Sequence, residues 1–410
     1  MVFPPLLMAL LTLLPFGISF SDVLSARAYH LTRTVGRSWN AFLFAVICVT
    51  IFTLAFYIVY DKGYGGQEKK LAFRFELINT NYILMACWAL MLIGLGVTLV
   101  TIMAEGPAFL ISLFARITAG ESATDILYSP QGMMYSQNTP GMLRMFASCS
   151  NSACLLWLAA KPIIQRKAKT LWWSHLFIFL ALNFIRSVVA GDRSPIISAL
   201  ELTAYILVRD AIVFFRDTPD LKQKWIISAG SVGFLGVGYL AYFFLGQMRG
   251  AGSQDYSTLL LYSDLGVANL ILSMHTGYGL MFGLNTFLGP LPNLFRGLGI
   301  VVNWPIFQAD YIWAPPGNFL MNSYWDFGWF GWLNYLALGS LSGWIWKRNC
   351  WDADSISWRL GRFYVIYVVS SVFSQGSLGG MDFYIGIIAN LIVIGLLKRD
   401  HEARHSLAQC

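Results

Sequence analysis

Arg186 and Arg193 stand seven residues apart, the second within Gly191-Asp192-Arg193-Ser194-Pro195. Seven residues are nearly two helical turns, so an unbroken helix would put both guanidiniums on one face, roughly 10 Å apart along the axis. Asp192 can neutralise one of them but not both. Such a pair suits a phosphorylated ligand, because the planar guanidinium fork grips phosphate with two parallel hydrogen bonds. The plainer alternative is snorkelling, in which long basic side chains near the end of a span reach for the membrane surface. Glu201 follows two turns after Arg193. A lone acid in an apolar run needs a partner or a wet cavity. It is either half of an ion pair or a candidate catalytic, proton-carrying carboxylate. Arg209 and Asp210 read as a structural pair.

Further along, Arg249 falls just after an apolar run, and His275 is the one histidine between residues 246 and 316. Histidine can act as a general base near neutral pH, although a solitary one is more often structural. Next come Gly317-Asn318 and then Asn322-Ser323-Tyr324-Trp325-Asp326-Phe327-Gly328. Asn318, Asn322, Tyr324 and Trp325 are candidate glycan contacts, since aromatic faces and planar amides suit the apolar faces and hydroxyl rims of sugar rings. An aromatic belt at the membrane interface accounts for the Tyr and Trp, but not for Asp326 between them and glycine. Asp326 is therefore a second candidate base, with Asp382 a possible companion. Asp352-Ala353-Asp354 spells a metal-binding pattern of sugar-nucleotide transferases, yet it sits in a short basic loop with no transferase domain around it. Chance explains it better. No CxxC pair occurs, so a structural zinc site is not expected; with no convincing metal cluster elsewhere, the expected chemistry is metal-independent, and no cofactor is expected.

What must position these groups is a membrane domain. The 410 residues are 57% hydrophobic and 12% charged, with a mean hydropathy of +0.59, whereas soluble domains carry about 25% charged residues. A spanning helix needs about 20 mostly apolar residues. Candidates fall near 2–20, 41–60, 82–104, 141–160, 171–190, 195–214, 226–245, 317–345, 360–379 and 382–397. The short run 106–118 would be an eleventh span or an interfacial helix. The first run has no basic residue before it and reads as an anchor, although Ala26-Arg27-Ala28 weakly imitates a cleavage site. The expected fold is thus an all-α polytopic membrane protein with about 10–11 spans. Residues 1–410 form one integral membrane domain, and residues 246–316 form a partly helical outer loop.

Basic residues give the orientation. Lys161, Arg166, Lys167 and Lys169 cluster between two spans, as do Arg216, Lys222 and Lys224; further clusters are Lys347, Arg348 and Arg359, and Lys398, Arg399 and Arg404. All four clusters share a side if the spans alternate, and that side is the cytoplasm. The loop 246–316 then faces outward, and it contains no lysine. In the first third, 21–40 and 61–81 are both basic yet must lie on opposite sides, so the side of the N-terminus stays open. A net charge of +7 distributed this way does not point to nucleic acid. The cysteines Cys48, Cys87, Cys149 and Cys154 lie in apolar runs and the outer loop has none, which speaks against a disulfide framework. Glycines 230, 233, 236 and 238 lie within one apolar run with no preceding strand, so they suit close helix packing better than a nucleotide loop.

Three features together resemble the bacterial oligosaccharide repeat-unit polymerases, the Wzy-type O-antigen and exopolysaccharide polymerases. They are Arg193-Ser194 after a span, Arg249 opening a single long outer loop, and the stretch from Gly317 to Gly328 that resembles the family's Tyr-x-Asp-Phe-Gly pattern. The likeness covers roughly residues 140–400 in layout. It implies a metal-independent membrane glycosyltransferase of the GT-C type in the bacterial plasma membrane. Its substrates would be polyprenyl-diphosphate-linked oligosaccharides dissolved in the bilayer, with a chain-length regulator as a further partner. The growing chain would leave its lipid diphosphate for the non-reducing sugar of an incoming unit. On this sequence, Arg193 and Arg249, with Arg186, would hold the donor diphosphate, while His275, Asp326 and Glu201 compete for the role of base.

Three other activities fit parts of the same pattern. A glycan ligase differs only in its acceptor. A flippase or other transporter would show repeated halves or broken helices near mid-membrane, and the sequence shows neither clearly. A multipass acyltransferase would want a buried histidine within a span, for which His175 is the sole candidate.

Overall fold

A computed structural model of the chain describes residues 3–20, 35–61, 80–105, 146–190, 203, 206, 258–276, 282, 286, 319–347, 356–371 and 384–397. The described residues are almost entirely helical and contain no strand. In chain order the helices are α1 (Phe3–Phe20), α2 (Trp39–Asp61), α3 (Thr80–Glu105), α4 (Cys149–Ala159), α5 (Lys161–Lys167), α6 (Lys169–Ala190), α7 (Thr258–Thr276), α8 (Phe319–Phe327), α9 (Trp332–Lys347), α10 (Ile356–Ser371) and α11 (Tyr384–Leu397). Single 3-10 turns precede α4 and join α8 to α9.

Two of these helices, at Trp39–Tyr60 and Thr80–Val100, are long and apolar enough to cross a membrane; Pro4–Phe20, Phe146–Ala159, Gly266–His275 and Tyr384–Leu397 are shorter apolar helices. Their outward faces are apolar too. Leu43, Leu54 and Ile58 on α2, and Met85, Leu92, Ile93 and Leu99 on α3, are all exposed. A helix that is hydrophobic all round belongs in a large core or in lipid. These faces lie on the surface, and lipid is a medium that would match them.

The chain divides into two compact units, one of residues 1–73 and 256–384, the other of residues 74–255 and 385–410. In the first unit α1 and α2 form an antiparallel pair, closed at one end by Phe16 and Phe20 against Phe42 and Trp39, with ring centroids 5.7 Å apart in Phe16–Phe42 and in Phe20–Trp39. Buried residues on α2 recur at Ala41, Phe44, Ala45, Cys48, Phe52, Ala55 and Phe56, the three-and-four spacing of one helix face. That face receives α9. A Cβ added at Gly339 would lie 2.5 Å from the Phe52 carbonyl oxygen, and one at Gly343 would lie 2.4 Å from that of Phe56. The Gly-x-x-x-Gly spacing lets the two backbones touch, as small residues do in membrane helix pairs. Because Phe44 meets Gly331, Phe52 meets Gly339 and Phe56 meets Gly343, α2 and α9 run in the same direction.

The run 317–345 is not one continuous span. α8 folds back on α9: the Phe319 and Tyr335 rings lie 5.0 Å apart, whereas sixteen residues of straight helix would separate them by about 24 Å. Two glycines permit the break. Gly328 takes a positive φ of 59°, and Gly331 has no Cβ to strike the Ser323 carbonyl, which would lie 2.5 Å away. Trp329 and Phe330 are exposed at the tip of this hairpin.

In the second unit α4 runs antiparallel to α6, and α3 runs alongside them. Trp157 and Trp172 each donate an indole N–H to the other's carbonyl, at 3.0 and 3.2 Å. Trp88 of α3 packs edge-on to Phe179 at 5.2 Å, and a Cβ at Gly94 would lie 2.5 Å from the Ser150 nitrogen. The basic link between α4 and α6 is α5, which carries a proline in its first turn, where a missing N–H costs nothing. Lys161 lies 5.2 Å from the Trp172 ring centre.

Candidate functional site

Among the described residues two polar clusters interrupt the apolar packing, one in each unit. The first is built on Asp326, in the last turn of α8, and its side chain is 0% exposed. The Thr286 backbone N–H donates to Asp326 Oδ2 at 2.9 Å, and the Thr286 hydroxyl donates to the same oxygen. Asn334 Nδ2, from the first turn of α9, lies 3.5 Å from that oxygen and donates to Thr286 Oγ1 at 2.9 Å and Ser323 Oγ at 3.3 Å. The hairpin therefore closes over its own polar residues, which pin it to the segment at Thr286. The Phe282 N–H completes this clasp by donating to the Asp326 carbonyl at 3.1 Å. Phe282 itself has a φ of +51°, a conformation that costs a non-glycine residue on the order of 1 kcal/mol. Its ring is exposed and meets Phe327 edge-on at 6.1 Å.

Tyr324 is buried and packs edge-on against Phe44 at 5.5 Å. Asn322 and Trp325 are half-buried. His275 stands in the last turn of α7 and is exposed; α7 packs against both α1 and α8. The structure thus places His275, Asn322, Tyr324, Trp325 and Asp326 in one unit. It gives His275 access to its surroundings while sealing Asp326 within hydrogen bonds.

The second cluster surrounds Arg186, whose side chain is only 5% exposed. Arg186 Nη1 donates to Ser150 Oγ at 2.9 Å. Ser150 Oγ lies 2.9 Å from Asn183 Oδ1 and 3.0 Å from the Ala147 carbonyl, and its hydrogen is shared between them. Asn183 Nδ2 donates to the Ser150 carbonyl at 3.2 Å and to Cys154 Sγ at 2.8 Å. Arg186 therefore does not snorkel outward; it is folded into the α4–α6 seam, one guanidinium arm fixed by Ser150. Cys48, Cys87, Cys149 and Cys154 are all free and buried.

No family model, curated protein or solved structure matches this chain.

Glu201, Arg193, Arg249 and Asn318 lie outside the described residues, as do Asp382 and most of 246–316. Among the described residues no group of three or more His, Cys, Asp and Glu side chains could hold a metal ion. His175 is half-buried among the rings of Trp88, Trp157 and Phe179, with Nδ1 3.0 Å from the Leu171 carbonyl. That setting is a packing role for the imidazole.

The sequence reading missed Ser150 and Asn183 in one cluster and Thr286, Ser323 and Asn334 in the other. Part of the signal was present. Asn183 precedes Arg186 by three residues, and Ser323 precedes Asp326 by three, the spacing that puts two side chains on one helix face. A polar residue three before a charge in an apolar run is a ready-made partner. The contribution of Asn183 is testable: Asn183→Leu should take a donor from the Ser150 carbonyl and an acceptor from the Ser150 hydroxyl beside a buried guanidinium, and cost about 2 kcal/mol, read as a lowered Tm in detergent.

Proposed function

We propose that this chain is a polytopic glycosyltransferase of the bacterial plasma membrane. It would join polyprenyl-diphosphate-linked oligosaccharide repeat units on the non-cytoplasmic face, in a GT-C-like fold of about 10–11 spans. The observation that carries the reading is the setting of Tyr324-Trp325-Asp326-Phe327-Gly328, the motif behind the family resemblance. It caps a broken apolar helix with a wholly buried carboxylate, on a protein whose outward faces suit lipid.

In this reading Arg193 and Arg249 hold the donor diphosphate and stabilise charge on it as it leaves, which is electrostatic catalysis, while Arg186, buried against Ser150, contributes its charge from within the protein. Of the candidate bases, His275 has the exposure that contact with an acceptor hydroxyl requires. Asp326 acts from within the protein, keeping the hairpin closed so that Asn322 and Trp325 are presented in fixed positions. Glu201 remains the third candidate. The lipid tails stay in the bilayer throughout, and a chain-length regulator is the expected protein partner.

Substituting Arg193→Ala or Arg249→Ala should leave the protein inserted while abolishing chain growth, so that single repeat units accumulate on lipid. Full-length polymer from both variants would rule out the diphosphate grip. The α8–α9 hairpin also supports a second reading, because interrupted helices are a feature of transporters. A flippase predicts a different result: lipid-linked units trapped on the inner leaflet.

A further inference from the structure

The parallel packing of α2 on α9 bears on sidedness, which hydropathy leaves open. Phe44, Phe52 and Phe56 meet Gly331, Gly339 and Gly343 in that order, so the Asp61 end of α2 and the Lys347 end of α9 lie at the same end of this unit. The chain leaving α2 there carries Lys62, Lys69, Lys70 and Arg74, while Lys347 ends α9, Arg348 follows it and Arg359 stands in the first turn of α10. The opposite end is where α1 finishes and α2 starts, as the Phe20–Trp39 ring contact shows. The link between them carries only Arg27, Arg33 and Arg37, so the comparison is seven basic residues against three. Lys and Arg near helix ends are retained on the cytoplasmic side.

The two ends also differ in their aromatic residues. At the α1–α2 end Trp39 is 73% exposed, and the hairpin tip beside Phe44 adds exposed Trp329 and Phe330. Amphipathic Trp side chains collect at the headgroup layer. Taking the membrane reading above as given, we infer that this unit crosses the bilayer with its Trp39–Trp329 end in the headgroup layer of the non-cytoplasmic leaflet. Its Asp61–Lys347 end is then cytoplasmic. Because α1 is antiparallel to α2, the beginning of α1 at Phe3 is cytoplasmic as well. The hairpin tip that follows Asp326 opens toward the outer leaflet, the side on which a lipid-linked glycan would be met.

Thiol labelling of the full chain tests this. Cys350 and Cys410 would be changed to serine, and the four described native cysteines are buried. Asn40→Cys and Gly65→Cys would be made singly and exposed to a charged, impermeant maleimide in right-side-out and inverted membrane vesicles. Asn40→Cys should label in right-side-out vesicles and lose its label in inverted ones, and Gly65→Cys should do the reverse. The opposite pattern would overturn the sidedness. Labelling of both on one side would show that α2 does not cross. An Asn40→Cys thiol shielded in both orientations would overturn the placing of this end at the headgroup surface. Release of the protein by alkaline carbonate would instead sink the membrane reading itself, and the inference with it.

Discussion

Replacing Gly339 or Gly343 with leucine should collapse the yield of folded protein, the larger of the two expected effects on this unit. At both positions a mere Cβ would lie 2.4–2.5 Å from a carbonyl oxygen of α2. The obstacle is helix backbone, which cannot swing away as a side chain can. Overpacking a core typically costs about 1–3 kcal/mol and occasionally more, and a clash of a whole side chain with backbone belongs above that range. A native domain has only about 5–15 kcal/mol in reserve, so the double variant should fail to fold. Gly395→Leu is the matched control, since nothing lies within 4 Å of a Cβ there. Thermal unfolding in detergent should show Gly395→Leu close to the parent and Gly339→Leu far below it. Equal Tm values for the two would mean that α2 and α9 do not touch as described.

Asp326→Ala should be nearly as damaging, and for an electrostatic reason. It removes the acceptor shared by the Thr286 N–H and hydroxyl. Each donor left unpaired in the interior costs about 1–3 kcal/mol, so a loss of roughly 3–5 kcal/mol is expected. Asp326→Asn separates architecture from chemistry. The amide keeps an acceptor oxygen for Thr286 but can no longer take up a proton. If Asp326 only closes the hairpin, Asp326→Asn should retain most of the Tm and most of the proposed chain-joining activity. A variant with the parent's Tm but no activity would instead make Asp326 the base and remove His275 from that role.

Arg186 and Asp326 stood out in the sequence because a charge within an apolar run is conspicuous whatever surrounds it. Their immediate neighbours were half visible, through Asn183 and Ser323 one turn earlier. Thr286 was not, because its contact with Asp326 spans forty residues and no local pattern announces it. The hairpin was hidden for another reason. Residues 317–345 have the length and hydropathy of one span, and length alone favours a continuous helix. The break depends on Gly331 lying against Ser323, a relation that exists only after folding. Hydropathy likewise finds α2 and α9 as apolar segments but is silent on which helices pair and in which direction.

The pairing of α2 with α9 also sets a timetable. Phe52 is made early, whereas the glycine that receives its backbone is number 339. At about 5–20 residues per second the ribosome needs roughly 15–60 s to reach it. Throughout that interval the seam of α2 waits without its partner. A nascent chain stalled before residue 331 would display that unfilled seam and invite quality-control proteases.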